Sequence, residues 1–446
     1  MLLGGKIARL ALAAVALGFL TSCAKPDTLV LKDFTLIDGA GDQAAPDSSM
    51  IIEDGKIKWV GPTADLKAPL GAQTRDLAGK YVMPGIIDLH VHLSIVRDMK
   101  QDIANYTLEN VQEDLKGYAK FGVTAVQVLG TDKDLIFPLR AAQRAGRPTM
   151  ARVFTAGQGI VFKGGYGGVV GLNKPVSTVE EAVKAVDEQA DKGVDLIKLW
   201  VDDELGTMLK MPPEISNAVI DEAHKRGLRA VAHIFYLEDA KRLVDQGVDG
   251  LAHNVRDQPV DQALIDAMKQ KGVWQMADTL TREQAMFLFG TPSETLSDPL
   301  FKQAVSEKTL ALLSSGERQK TVVDNPHYGD YPKFLAQAEA NTKTLMDAGV
   351  NMGFGTDCGP PGRFPGYAEH RELELLVAAG MTPLQAINLA TGKAAQFLRA
   401  TDIGTLAAGK WADLLVLDAD PLADIRNVHK INAVFIAGQS VPAVTQ

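Results

Sequence analysis

Cysteine is nearly absent from this chain: Cys23 and Cys358 are the only two in 446 residues, which excludes a disulfide framework. Aromatic residues are sparse at 6%, and basic residues form no stripe, with Lys and Arg numbering 46 against 55 Asp and Glu. That balance excludes a nucleic-acid surface. Long apolar runs are missing as well, since Ile7 to Leu20 is too short to span a bilayer. The glycine-rich stretch Gly157 to Gly171 lacks the spacing of a phosphate loop, so nucleotide binding is not expected there. What is present is 46% hydrophobic residues and a net charge of -9 with both signs interspersed. Such a chain builds a globular body, large enough for one barrel-sized domain and a satellite.

The stretch around which the rest is organised is Gly85-Ile86-Ile87-Asp88-Leu89-His90-Val91-His92. It runs an apolar strand into two histidines, and because strand side chains alternate faces, His90 and His92 point the same way. Two neutral imidazoles side by side at a strand end can grip one divalent metal ion. The plainer alternative is two polar residues that merely close a strand.

Before that stretch, Lys6 and Arg9 precede the apolar run to Leu20, and Leu20-Thr21-Ser22-Cys23 follows at once. This is the pattern of an export signal over residues 1–22. Its ending resembles the lipobox of bacterial lipoproteins, which implies lipidation of Cys23 and a membrane contact made only through that anchor. With Ala24 next, the expectation is an exported lipoprotein of the periplasm or outer membrane of a Gram-negative bacterium.

From residue 27 to 83 short β-like runs alternate with turns, and Asp54-Gly55 between two of them is a strong hairpin signal. Strand texture returns over 401–446, at Ala412 to Leu417 and Ala433 to Ile436. Both ends are therefore expected to share a small β-sandwich, with residues 84–400 inserted between them. The inserted part alternates apolar strands with helical stretches. Eight strands are expected, at 86–89, 123–128, 152–156, 196–200, 230–232, 250–252, 273–277 and 351–355, and eight βα units close into an α/β (β/α)8 TIM-like barrel. A long helical connection at about 281–345 is expected to form a lid.

On this framework His90 and His92 close strand one, and Lys198 lies in strand four. His233 ends strand five, His253 ends strand six, and Asp357 follows strand eight. All lie at or near the carboxyl ends of strands, where barrel active sites are built. Convergence of metal-ligand residue types from separate strands favours a site over independent packing roles.

The set His90-Val91-His92, Lys198, His233, His253 and Asp357 resembles the metal-binding signature of the amidohydrolase superfamily, in its imidazolonepropionase and Xaa-Pro dipeptidase-like branch. Met83-Pro84-Gly85-Ile86-Ile87-Asp88-Leu89-His90 and the stretches Gly404-Thr405-Leu406 and Gly409-Lys410-Trp411-Ala412-Asp413-Leu414 agree. The resemblance implies two divalent metal ions, expected to be zinc. His90, His92 and Asp357 would hold the first, His233 and His253 the second, and Lys198, carboxylated to N6-carboxylysine, would bridge them together with a hydroxide. Asp357 would serve as general base and then acid. The plainer place for Lys198 is an ion pair with Asp202 or Asp203.

Substrate contacts are expected from Tyr166, in the glycine-rich loop where dipeptidase-like relatives carry a histidine, from Arg363 after strand eight, and from His370 at the start of the next helix. An arginine suits a terminal carboxylate, which it can meet with two N–H donors. The resulting expectation is a metal-dependent hydrolase that cleaves amide bonds of small substrates, a dipeptide or an N-acyl amino acid. A one-metal cyclic amidohydrolase or deaminase is the alternative within enzymes, and a ligand-binding lipoprotein the alternative outside them. No nucleic-acid partner is expected, and a homo-oligomer stays open.

Overall fold

The Asp54-Gly55 pair turns as its residues require: both adopt positive φ, 50° and 84°, between strands paired at Glu53 and Lys56. Two such residues in succession give a turn whose twist matches that of the strands it joins. A computed structural model describes residues 27–276 and 280–444. The expected signal segment, with Cys23, lies outside the described residues, as do residues 277–279. No helix among the described residues is long and apolar enough to cross a membrane.

Both ends of the chain enter one eight-stranded sheet. Its order runs Gln439–Val441, Ile431–Ile436, Leu414–Leu417, Tyr81–Pro84, Thr28–Leu36, Ala45–Glu53, Lys56–Pro62, with Gln73–Asp76 also paired to Thr28–Leu36. The join between the ends is the antiparallel pairing of Tyr81–Pro84 with Leu414–Leu417, centred on Val82 and Val416. Leu31, Phe34, Met50, Ile57, Leu414 and Phe435 form the core of this part.

Between them lie eight parallel strands: β1 (Ile86–Val91), β2 (Val123–Val128), β3 (Arg152–Thr155), β4 (Ile197–Trp200), β5 (Ala230–His233), β6 (Gly250–Leu251), β7 (Trp274–Met276) and β8 (Asn351–Gly353). They pair in the order β3-β2-β1 and, in a second sheet, β4-β5-β6-β7-β8. Beyond β4 the second sheet continues through Ile160–Phe162 to Lys174–Val176, and backbone hydrogen bonds join the two sheets. At one seam Asp195 N donates to Thr155 O at 2.8 Å; at the other Leu89 N donates to Phe354 O at 2.9 Å and Asp357 N to His90 O at 2.8 Å. Helices alternate with the strands, so the fold is mixed α/β and consistent with a TIM-barrel-like domain. The connection after β7 is helical, as its sequence indicates, with helices from Leu280–Leu288 to Tyr331–Asp347.

One apolar cluster, Ile87, Leu89, Ala125, Leu196, Val231 and Met276 among others, fills the strand interior, while Ile86, Val91, Ile197 and Leu199 pack outward with the helices. β1 would not deliver its histidines by plain alternation, because Leu89 belongs to the inner set. Its register against β2 slips between Asp88 and Val91, and this bulge returns His90 and His92 to the inner face beside Asp357. The terminal sheet is tied to the strands by a buried ion pair: Arg152 Nε donates to Asp413 Oδ2 at 2.7 Å, and Asp413 Oδ1 accepts from Ala437 N at 2.6 Å.

Candidate metal centre

His90, His92 and Asp357 come together, each offering one ligand atom within 4.8 Å of the others. Asp357 Oδ1 lies 2.9 Å from His92 Nε2 and 3.5 Å from His90 Nε2. Asp357 has φ 54°, a left-handed conformation unusual outside glycine and held here by its bond to His90 O. The chain turns back two residues later at Gly359, where any added Cβ would sit 2.0 Å from His92 O, so glycine is required for this approach.

His233 and His253 face each other at 4.3 Å between ring centroids, and His253 lies 5.0 Å from His90. Lys198 is fully buried, its Nζ 5.2 Å from the Trp200 ring centroid. It stands close enough to all four imidazoles that its charge lowers the basicity of each. Burial is the larger cause, and it holds His90 and His253 well below the usual histidine range and His233 at about 4. The imidazoles are thus neutral, the form that binds metal. Asp357 is the reverse case: against its burial, Arg363 and the two histidines hold its carboxyl well below the ordinary range.

Four neutral imidazoles, a lysine and a carboxylate, gathered at buried strand ends, fit a metal centre. His90, His92 and Asp357 could hold one ion, and His233, His253 and Lys198 stand beside them. Asp202 is one of the two partners considered for the lysine. Its Oδ2 lies 2.8 Å from His233 Nε2, while Asp203 accepts from the Tyr236 hydroxyl. Beneath the centre Asp88 fixes the scaffold, accepting from His90 N at 2.8 Å and from Thr356 Oγ1 at 2.6 Å.

The three residues expected to meet substrate divide. Tyr166 and Arg363 line a cavity of about 220 Å³ with His90, His233, His253 and Asp357. The Tyr166 ring centroid is 5.1 Å from that of His233, and burial pushes the phenol up to about 12. Arg363 donates to Asp357 Oδ2. His370 is elsewhere. It is fully buried, its Nε2 bonds Phe121 O at 2.8 Å, and its ring packs on His429, because it lies on the core face of the helix Tyr367–Ala378. It belongs to the packing of that helix and not to the site.

Three groups escape a reading of the sequence. Arg256 is buried and donates to Glu283 Oε1 at 3.0 Å; Glu283 also accepts from Arg282, whose Nε lies 3.9 Å from Asp357 Oδ2. Arg256 stands three residues past His253, whereas Arg282 and Glu283 sit in the long connection, where no spacing marks them.

The amidohydrolase family matches residues 81–441, and the chain belongs to it. It is a hydrolase that acts on carbon–nitrogen bonds. Among curated relatives, the imidazolonepropionase of Mycolicibacterium smegmatis is 26% identical over 397 residues, covering 88% of this chain and 89% of that protein. That of Streptomyces griseus is 26% identical over 429 residues, covering 93% and 97%. Among solved structures, a protein assigned as a prolidase from Bifidobacterium longum superposes with a TM-score of 0.75 at 26% identity, covering 94% of this chain and 96% of that one. A Xaa-Pro dipeptidase with bound methionine in its active site gives 0.71 at 23%, covering 93% and 99%, and so shares the fold.

Proposed function

We propose that the chain is a two-metal hydrolase of small, carboxylate-bearing amides, a dipeptide or an N-acyl amino acid. The site would lie on a closed (β/α)8 barrel flanked by a sandwich of both termini, and the protein would act outside the cytoplasm, tethered through Cys23. The observation that carries the reading is the contact of Asp357 with His90, His92 and Arg363 in a cavity lined also by His233, His253 and Tyr166. Bound metals supply a water of lowered pKa and polarise a carbonyl oxygen. Asp357, ionised and placed at the cavity wall, accepts the proton released as water attacks and returns it to the leaving nitrogen. Tyr166, protonated at working pH, donates a hydrogen bond to the substrate carbonyl. Arg363 exchanges Asp357 for the substrate carboxylate and fixes which side of the amide faces Asp357. Export favours peptides and acylated amino acids over intermediates of cytosolic metabolism.

A one-metal enzyme opening a cyclic amide is the second reading. It draws on the imidazolonepropionases among the sequence relatives and on the tight set of ligand atoms formed by His90, His92 and Asp357 without His233 or His253. Metal content and substrate separate the two. Elemental analysis is expected to show two divalent ions per chain, falling to one or none in Lys198→Ala while the circular dichroism is kept. Dipeptides and N-acyl amino acids are expected to be cleaved by the metal-replete enzyme. One ion throughout, with turnover confined to cyclic imides or nitrogen heterocycles, would transfer the assignment to the second reading.

A further inference from the structure

A second cleft, of about 350 Å³, shares His92, Pro360 and Arg363 with the metal-site cavity. Its walls combine apolar side chains, Val96, Met99, Phe121, Val305 and Phe364, with polar and charged ones, among them Glu113, Asp114, Lys120 and Gln303. Two charged side chains of its loop are paired, Arg97 with Asp114 at 3.0 Å and Asp98 with Lys308 at 2.7 Å. Ser94 is another lining residue; it is 2% exposed, and its Oγ has no hydrogen-bond partner. The loop that carries it leaves β1 directly after His92, and Ser94, Asp98 and Met99 hold φ of 56°, 48° and 65°. L residues rarely adopt that conformation, and it persists where the surroundings enforce it, most often at ligand sites.

We infer that this cleft receives the side chain of the carboxylate-bearing half of the substrate, and that this side chain is large and mainly apolar, aromatic or long aliphatic. The inference rests on the proposed role of Arg363 as carboxylate receptor. Arg363 stands on the boundary between the two cavities, so a carboxylate that it holds has the scissile amide on the side of Asp357 and its side chain on the side of the cleft. A glycyl or alanyl group leaves the cleft to water. A phenylalanyl or leucyl group buries apolar surface against Phe121 and Phe364, a gain of about tenfold or more in affinity.

Gly117 offers the test, because it lines the cleft from the helix Leu108–Lys120 and a Cβ added there meets nothing within 4 Å. Gly117→Phe fills the cleft from outside the metal centre, and Glu113→Trp on the same helix does so independently. Calorimetry with the metal-replete full chain would compare glycine with phenylalanine, the amine halves of Ala-Gly and Ala-Phe, and hydrolysis of the two dipeptides would be followed in parallel. Phenylalanine is expected to bind about tenfold or more tightly than glycine, with the ratio falling toward one in both variants. A ratio near one in the parent, failure of phenylalanine to bind, or a ratio kept in folded forms of both variants overturns the inference. The expected ratios without cleavage of either dipeptide would uphold the cleft and sink the hydrolytic reading, whereas cleavage with a ratio of one would do the opposite.

Discussion

Asp357 concentrates three demands on one side chain: it stands among ligand atoms, it is ionised despite burial, and its backbone is left-handed. An amide of the same shape keeps the size and the turn preference but cannot take up a proton. Asp357→Asn is therefore expected to lower kcat by on the order of 10³-fold while binding of a dipeptide changes little, read from steady-state kinetics beside calorimetry. At this scale His90, His92, His233, His253 and Asp357 could be picked out because each closes or follows an apolar strand run, and Lys198 because it lies within one; the structure places them near one another. Arg256, Arg282 and Glu283 could not, since their proximity is created by how a long connection folds back. His370 misled for a related reason: a helix start near a site says nothing of which way the helix is rotated. The faces of Leu373 and Leu376, three and six residues on, point to the core, and His370 goes with them.

Among elements, the eight parallel strands lie where apolar runs bounded by turn residues place them, and the Asp54-Gly55 hairpin follows from two residues alone. The bulge in β1 was not legible, because it arises from register against β2 and not from any residue of its own. The connection after β7 is fastened to the helix Tyr367–Ala378 through Glu372, which accepts from Thr281 N at 2.7 Å and from the Thr281 hydroxyl. Burial pushes the Glu372 carboxyl up from 4.5 to about 8. A folded-state pKa above the unfolded one means that the native state holds the proton more tightly. The stability this supplies is complete below about 4.5 and is lost as pH rises through about 8. Glu372→Gln, which keeps a neutral partner for Thr281, is expected to flatten the fall of Tm across that window. A Tm profile parallel to the parent's would show that Glu372 is already ionised in the fold.

For the whole molecule, the ion pair of Arg152 and Asp413 is a buried polar tie between the parallel strands and the terminal sheet, with side chains 10% and 2% exposed. Asp413→Asn leaves a guanidinium buried without its counter-charge and is expected to cost about 3–5 kcal/mol, measured by denaturant unfolding. The sequence hinted at this tie only through Gly409-Lys410-Trp411-Ala412-Asp413-Leu414, which reads as a terminal strand and gives no sign of its partner more than two hundred residues earlier.

The pairing of Tyr81–Pro84 with Leu414–Leu417 carries one further consequence, for the order in which the molecule can be made. Emerging from the ribosome early, Tyr81–Pro84 can pair with Thr28–Leu36 at once, but its other edge lacks a neighbour until almost the whole polypeptide has been synthesised. It must wait, with that strand edge open, while the intervening units assemble. Closure of the terminal sheet is thus a late event that reports completion of the chain, and a polypeptide stopped before Leu414 carries an adhesive edge instead of a finished protein.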